Sequence, residues 1–375
     1  MKQNLFHARG ARHFLRAFWQ RKPMFARGAL PQAGAAIDRA QLVVLACRDD
    51  VESRLVVRSG AAWRVVQGPF RPRDFARLPL RGWTLLVNGV ENFVPAAREL
   101  QTAFGFVPYA RHDDVMVSYA APGGGVGPHF DSYDVFLLQG TGARRWQISA
   151  QRDLALVEGA PLKLLRRFRA QRTWTTQCGD LLYLPPDYAH HGVALSPCIT
   201  WSVGFRAPQR NELVARILED RHERMRPHGG YRDRGLAPQR HPAAISSSML
   251  RRVRETVNSM HWDNADILRG LGEYLTEPPP RIVYERTGRA SAAQFAHLAR
   301  ERGVRLDLKS RMLTRGRSVF INGESAEIAA GDIAPLRALA DRRQLPPRSR
   351  LRKAVLDLLY AWYRAGYIQL GDAAG

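Results

Sequence analysis

Three residues of the sequence have the types and spacing of a metal site. His129 and Asp131 stand two positions apart, and alternate residues of a strand point to one side, together with Tyr133. A second histidine, His190, follows a Gly-Asp turn, a short apolar run and a Pro-Pro turn. Two imidazoles and a carboxylate form the facial triad of non-heme Fe(II) oxygenases, which leaves positions open for a cosubstrate and O₂. The sequence therefore predicts an iron site.

Two alternatives stay open at this stage. A lone His-x-Asp pair more often marks a core histidine bonded to a neighbouring aspartate, and it is the later Gly-Asp-strand-turn-His segment that favours a metal. His190 is also followed directly by His191. Because adjacent strand residues face opposite sides, only one of the two can bind, and spacing does not choose between them.

An Fe(II) oxygenase also needs an electron donor. If the donor is 2-oxoglutarate, its far carboxylate requires a cation in the interior, and an arginine can bind it through two hydrogen bonds. Arg144 and Arg145 open a strand after a Gly-Thr-Gly turn, so one should point inward and the other to solvent. Without the metal triad, either would more commonly be a surface arginine. Ser118 and Thr200 could add hydroxyl groups to the same carboxylate.

These residues lie in a region that is rich in short strands. From 114 to 206, apolar runs alternate with Gly- and Pro-rich turns, which is typical of a β-sandwich or barrel. Between residues 41 and 95, short apolar runs are likewise separated by turn residues and are predicted as strands. The first of these runs is 42–45.

The rest of the chain has a helical period. The predicted helices 211–225, 246–260 and 263–275 carry more apolar surface than the rim of a β-core needs, so we expect a homodimer formed through them. The triple proline at 278–280 is the clearest linker. Beyond it, helices and a basic-tipped hairpin at 311–321 indicate a winged-helix-like module, which could bind DNA or support protein docking and dimerisation.

The charge of the chain is its most unusual bulk property. Lys and Arg total 57 against 34 acidic residues in 375, a formal net charge of +23, and almost all of the basic residues are arginines. A nucleic-acid or nucleoprotein partner and a compositional bias toward arginine both explain this, and the spread of charge along the chain weakens the first explanation.

No apolar run approaches the roughly 18 residues that a membrane-spanning helix needs. The first ten residues contain no apolar h-region of the kind that a secretory signal peptide has. Cys47, Cys178 and Cys198 are widely spaced and predict no disulfide framework. We therefore expect a protein of the reducing cytoplasm with no membrane partner.

The central motifs resemble those of a known family. The stretch 122–136, with its Gly-Gly-Gly-Val-Gly-Pro-His-Phe-Asp-Ser-Tyr-Asp core, is similar to the bacterial JmjC-type ribosomal oxygenases. The Gln-Gly-Thr-Gly turn at 139–142, the Leu-Pro-Pro at 184–186 and the segment 202–208 share this resemblance. The resemblance covers about residues 12–275 well, whereas the C-terminal part matches in the order of its predicted elements more than in its amino-acid sequence.

The resemblance implies a mixed β and α fold. It has a double-stranded β-helix (jelly-roll or cupin, JmjC) core, a helical dimerisation region and a C-terminal winged-helix-like domain. On this chain the expected boundaries are 1–208, 209–277 and 278–375.

The resemblance also implies an Fe(II)- and 2-oxoglutarate-dependent protein hydroxylase. Its product is an arginine of large-subunit ribosomal protein sixteen hydroxylated at Cβ, with O₂ as oxidant. The implied metal ligands are His129, Asp131 and His190, which resolves the choice against His191. The implied 2-oxoglutarate arginine is Arg144, and the implied pocket for the substrate arginine comprises Asp114, Met116, Tyr133 and, nearby, Ser202.

Two further hypotheses compete with this one. The first is a JmjC hydroxylase or demethylase of another protein, which an anionic pocket wall at Asp114 disfavours unless the target side chain is cationic. The second is a non-catalytic winged-helix regulator that binds nucleic acid, against which the intact triad argues. Expected partners are a ribosomal protein, a second copy of the chain and, given the basic charge, ribosomal RNA.

Overall fold

The computed structural model describes residues 10–32, 36–60, 62–224, 230–232, 236–238, 240–259, 263–286 and 289–371. The described residues form two compact units. The first comprises those of Met1–Ala207, Pro278–Ser310 and Ala334–Gly375, and the second those of Pro208–Glu277 and Arg311–Ile333. The three domain boundaries expected from the sequence stay a prediction.

The helices alternate with short strands along the chain. The helices are α1 (Gly10–Ala17), α2 (Arg39–Ala46), α3 (Pro72–Ala76), α4 (Pro95–Ala103), α5 (Arg210–Arg224), α6 (Ser247–Asn258), α7 (Asn264–Thr276), α8 (Ala292–Arg302), α9 (Ile333–Arg342) and α10 (Lys353–Ala365). The strands are β1 (Met24–Ala26), β2 (Ser53–Ser59), β3 (Ala62–Gln67), β4 (Trp83–Val87), β5 (His112–Ala120), β6 (Asp134–Thr141), β7 (Arg144–Ser149), β8 (Arg172–Thr176), β9 (Leu181–Leu184), β10 (Ala189–Ala194), β11 (Cys198–Phe205), β12 (Val304–Leu306), β13 (Met312–Arg315), β14 (Ser318–Ile321), β15 (Glu324–Glu327), β16 (Gln344–Leu345) and β17 (Ile368–Leu370).

Two antiparallel sheets form the core of the first unit. The major sheet has eight strands in the order β1-β9-β6-β11-β5-β4-β2-β3, and the minor sheet has three in the order β10-β7-β8. From β6 to β11 the chain passes back and forth between the sheets, with β6, β9 and β11 in the major sheet and β7, β8 and β10 in the minor one. This two-sheet arrangement agrees with the sandwich predicted from the strand-rich region and with the jelly roll implied by the resemblance. Short apolar strands and their glycine turns therefore fold into two layers with a cavity between them.

An aromatic cluster holds α1 and α4 against the outer face of the major sheet. The fully buried Phe136 of β6 lies 5.2 Å from Phe14 of α1, 4.7 Å from Phe104 at the end of α4, and 4.9 Å from Tyr183 of β9, between ring centroids. Large rings bury much apolar area per side chain, so this cluster supplies a large part of the packing behind the sheet.

The predicted strand at 42–45 is wrong. The segment lies inside α2, which begins at a capping box: the Asp38 carboxylate accepts from the Gln41 backbone N–H, and the Gln41 side chain accepts from the Asp38 N–H. A short apolar run is compatible with a buried strand or a buried helix, and here the N-terminal cap decides for the helix.

The chain beyond the linker contributes to both units. In the first unit, α8 and α10 pack together beside the small sheet β16-β12-β17. In the second unit, α7 packs against α5 and against the sheet β13-β14-β15, which contains the predicted hairpin. The predicted helix ends at Met225 and Met260 lie outside the described residues. No helix in the described part of the chain is long and apolar enough to cross a bilayer.

Replacing Phe136 by alanine is expected to destabilise the first unit by about 3–5 kcal/mol, because the ring leaves a cavity that its rigid aromatic neighbours cannot fill. Urea unfolding measures this as a lower midpoint at an unchanged slope. Leu80→Ala is the control, since Leu80 is 92% exposed and its truncation should change stability by less than about 0.5 kcal/mol. Equal midpoints for the two variants would contradict the assigned core.

Candidate active site

The floor of the cavity is one face of the major sheet. Strand β5 lies beside β11 with Ser118 opposite Thr200 and Met116 opposite Ser202, and Asp114 follows two positions further along β5. Alternate strand residues share a face, so these side chains form neighbouring rows on the floor. All of them line a cavity of about 570 Å³ between the two sheets. Sheet register therefore spaces the polar groups of the floor.

A backbone bridge brings the two histidines together. The His129 N–H donates to the His190 carbonyl at 2.9 Å, and the His190 N–H donates to the His129 carbonyl at 2.8 Å. The Asp187 N–H donates to the Asp131 carbonyl at 2.7 Å. The expected strand over 127–133 is wrong, because only this isolated bridge is formed there. Backbone hydrogen bonds between two segments that are distant in the sequence set the positions of the two histidines.

The three side chains converge on one point. The metal-binding atoms of His129, Asp131 and His190 all lie within 4.8 Å of one another. His190 Nε2 is 3.6 Å from Asp131 Oδ2, and the two imidazole centroids are 4.1 Å apart. Nδ1 of His129 lies 2.9 Å from the Gly127 carbonyl, and Nδ1 of His190 lies 2.9 Å from the Tyr188 carbonyl. These backbone contacts orient the rings and leave Nε2 as the ligand atom of each.

The structure distinguishes His190 from its neighbour. His190 is buried and lines the cavity, whereas His191 is half-buried and does not. Burial, followed by the charge of His129, lowers the pKa of His190 to about 4, so its imidazole is neutral near pH 7. A neutral imidazole is the form that binds a metal ion. Strand alternation on β10 thus turns one histidine inward and the other outward.

The adjacent arginines on β7 also face opposite ways. Arg144 is buried and lines the cavity, whereas Arg145 is exposed. The Arg144 guanidinium lies 5.5 Å from the Trp146 ring centroid and 3.7 Å from the Cys198 thiol, and its Nε has no hydrogen-bond partner. No ion pair of Arg144 occurs among the described residues. A buried arginine without an anionic partner fits a site for the carboxylate of a ligand.

The opposite end of the floor is acidic. Asp114 accepts a hydrogen bond from the Gly89 N–H at 3.3 Å. Burial raises the pKa of its carboxyl, and the nearby Glu91 and Asp113 raise it further. Gly204 leaves space here, since a Cβ at this position would lie 3.3 Å from Asp114 and 3.7 Å from the Tyr133 ring. A carboxyl held in this way is stabilised as an anion when a cationic side chain enters.

All ten site residues predicted from the sequence line this one cavity. Sequence reasoning missed Arg54 of β2 and the segment 155–166, from which Leu156, Val157 and Lys163 also line it. This segment is a hairpin closed by the bridge between Leu156 and Leu165. One arginine among so many carries no signal of its own, and the hairpin is too irregular to read as strands.

The chain matches two family models. A JmjC domain model matches residues 99–213, and a ROXA-like winged helix model matches residues 259–369. The ribosomal protein uL16 3-hydroxylase of Escherichia coli is 32% identical over 330 residues, which cover 84% of each chain. This chain belongs to the JmjC-type ribosomal oxygenase family. The predictions of the family, of the fold and of an oxygenase are confirmed.

Other members of the ribosomal oxygenase family agree with this assignment. A probable ribosomal oxygenase of Haemophilus influenzae is 40% identical over 54% of this chain and 50% of its own length. A structure of E. coli YcfD with cobalt and 2-oxoglutarate superposes with a TM-score of 0.78, at 30% identity, over 96% of this chain and 98% of that one. A further YcfD structure gives a TM-score of 0.81 at 29% identity.

The paired histidines provide a matched test of the metal site. His190→Ala should weaken Mn(II) binding by more than the roughly 10–100-fold that loss of an outer-shell partner costs, because it removes a ligand. His191→Ala should leave the affinity within a few-fold of the parent protein. Isothermal titration of the metal-free variants measures both. A stronger effect of His191→Ala would contradict the site.

The paired arginines provide a second test. Arg144→Gln should raise the KM for 2-oxoglutarate by roughly tenfold or more, since a charge-assisted bidentate contact is lost. Arg145→Gln removes the same charge from the outer face and should leave this KM unchanged. Initial rates of 2-oxoglutarate turnover distinguish the two, and equal KM values for both variants would contradict the inward role of Arg144.

Proposed function

We propose that this chain is an Fe(II)- and 2-oxoglutarate-dependent hydroxylase of an arginine in ribosomal protein uL16. The observation that carries the proposal is one cavity with a triad suited to a metal, a buried arginine whose Nε has no hydrogen-bond partner, and an acidic wall. The similarity to the uL16 3-hydroxylase of E. coli supports the substrate, and the cobalt and 2-oxoglutarate bound to YcfD support the cosubstrate.

The donor set fits Fe(II). Two neutral imidazoles and one carboxylate, with ligand atoms within 4.8 Å of one another, match the facial triad of this class. When bound, iron and 2-oxoglutarate supply the activation of O₂ that oxidises an unactivated C–H bond. The chain's own contribution is placement: Arg144 holds the far carboxylate of 2-oxoglutarate, with Ser118 and Thr200 as adjacent hydroxyl groups.

The substrate end of the cavity fits a guanidinium. Asp114 offers a carboxylate, while the Met116 thioether and the Tyr133 ring offer surfaces for its flat faces, and Ser202 is the next residue on the floor. With the guanidinium fixed there, the aliphatic part of the side chain extends toward the triad. Positioning of this kind requires no general base on the protein.

The second unit supports a proposal of dimerisation. Helix α6 has no buried residue, and its Met249, Leu250, Val253 and Val257 form an exposed apolar stripe. We propose that a second copy covers this stripe and that 209–277 is a helical dimerisation region, between an oxygenase domain at 1–208 and a winged-helix-like domain at 278–375. A ribosomal substrate and three unpaired cysteines also favour a cytoplasmic location.

Light scattering tests the dimer. The parent protein should have twice the chain mass at micromolar concentration, and Val253→Glu should be monomeric because it places a charge in the stripe. Arg251→Glu changes an exposed residue on the other side of α6 and should stay dimeric. A monomeric parent protein would contradict the proposal.

The substrate is tested directly with recombinant uL16. After incubation with the enzyme, Fe(II), ascorbate and 2-oxoglutarate, intact-mass spectrometry should show a gain of one oxygen on an arginine. The gain should disappear when 2-oxoglutarate is omitted. Consumption of 2-oxoglutarate without the gain would reject uL16 as substrate, and no consumption at all would reject the oxygenase activity.

Neighbouring aspartates test the pocket. Asp114→Asn should reduce turnover of an arginine peptide far more than substrate-free decay of 2-oxoglutarate, because only the peptide reaction uses this carboxylate. Asp113→Asn, in which the replaced carboxylate is half-exposed and 3.3 Å from Arg206, should retain peptide turnover. Equal loss of both reactions in Asp114→Asn would contradict the pocket assignment.

A further inference from the structure

A surface beside the active site combines exposed arginines with aromatic rings. Arg58, Arg145, Arg167 and Arg169 are exposed, and Trp63 and Phe168 are half-buried. We call these six residues the basic-aromatic patch. They come from β2, β3, β7 and the segment between β7 and β8, so separate parts of the chain contribute to it.

Ring contacts place several members of the patch near His191. The centroid of the Phe168 ring lies 6.2 Å from that of the His191 ring, and the guanidinium carbon of Arg58 lies 5.4 Å from the centroid of the Trp63 ring. The guanidinium groups of Arg58 and Arg145 both lie close enough to His191, the outer neighbour of His190, for their charges to act on it.

The hairpin at 155–166 joins the patch to the cavity. Its Leu164 fills the space over Gly127, where a Cβ would overlap the leucine and lie 3.2 Å from the Trp63 ring. Its Lys163 lines the cavity. The patch residues Arg167, Phe168 and Arg169 follow this hairpin directly in the sequence, so the patch begins where the cavity lining ends.

The basic charge of this region has few acidic neighbours in the described part of the chain. Residues 150–172 include six arginines and lysines, against Asp153 and Glu158 as the acidic residues. Among the described residues, none of the four patch arginines takes part in an ion pair, although other surface arginines such as Arg48 do so. The cavity is lined by two more cations, Arg54 and Lys163. A cationic substrate side chain is therefore repelled at the mouth unless an anion accompanies it.

We propose that the basic-aromatic patch binds single-stranded RNA, so that the enzyme engages its target arginine in an RNA-bound ribosomal protein. The second half of this statement rests on the proposed function, whereas RNA binding by itself does not. Arginines interleaved with aromatic rings are suited to a single strand, because its phosphates pair with the guanidinium groups and its bases stack on the rings. An acidic peptide would pair with the guanidinium groups but has no bases that stack on the aromatic rings.

Fluorescence anisotropy with a labelled single-stranded RNA oligonucleotide of mixed sequence tests the proposal. The triple variant Arg58→Gln, Arg167→Gln, Arg169→Gln should weaken binding by roughly thirty-fold or more. It should also reduce the slope of log affinity against log salt by about 2, since each lost phosphate contact contributes about 0.7 for a single strand.

The matched control removes the same charge elsewhere. Arg337→Gln, Arg342→Gln, Arg364→Gln replaces three exposed arginines of α9 and α10 and should leave the affinity within a few-fold of the parent protein. Phe168→Leu keeps an apolar contact with His191 but removes the ring, and should weaken binding by roughly tenfold at an unchanged salt slope.

Two outcomes would overturn the proposal: equal loss of affinity in both triple variants, or competition by polyglutamate as effective as that by unlabelled RNA. Hydroxylation of a free uL16 peptide separates this proposal from the function itself. The patch variant should hydroxylate the free peptide at the parent rate or faster, because the arginines that it lacks repel a cationic substrate. If the parent protein fails to hydroxylate uL16 yet binds RNA through the patch, the substrate is wrong and the RNA site stands.

Discussion

The pair of backbone hydrogen bonds between His129 and His190 is the constraint on which the site depends. It joins the irregular segment after Gly127 to β10 of the minor sheet. The two imidazoles therefore lie on the same face of the paired segments. The hydrogen bond from the Asp187 N–H to the Asp131 carbonyl fixes the backbone of the third ligand residue in the same way. A metal site built on the backbone loses little entropy when it binds its ion, because the ligands are already oriented by the fold.

The second constraint is the register of β5 against β11. Hydroxyl groups at Ser118 and Thr200 share one row, Met116 and Ser202 the next, and Asp114 stands beyond them. The buried Arg144 faces this floor from the minor sheet. Opposite charges at the two ends of one cavity allow a dianionic cosubstrate and a cationic side chain to bind together without competing for the same place.

The chemistry of the site was predictable from residue types, whereas part of its geometry was not. His129, Asp131 and His190 were found by their chemistry and by their context in the sequence. The reason expected for the common orientation of His129 and Asp131, alternation along one strand, was wrong, because their segment forms only an isolated bridge to His190. Such a bridge between distant segments leaves no signal in the local periodicity. The segment 42–45 was misread since four apolar residues carry no period, and only the cap at Asp38 distinguishes a helix. Arg54 gave no signal in a chain so rich in arginine.

Isotopically labelled O₂ tests the central claim that the triad and the anionic pocket act as one oxygenase site. With labelled gas and ordinary water, the proposed function predicts one labelled oxygen atom on an arginine of uL16 and one in the succinate formed from 2-oxoglutarate. Omission of uL16 should reduce succinate formation to its slow uncoupled rate. Oxygen that derives from water, or hydroxylation that proceeds without 2-oxoglutarate, would contradict the account.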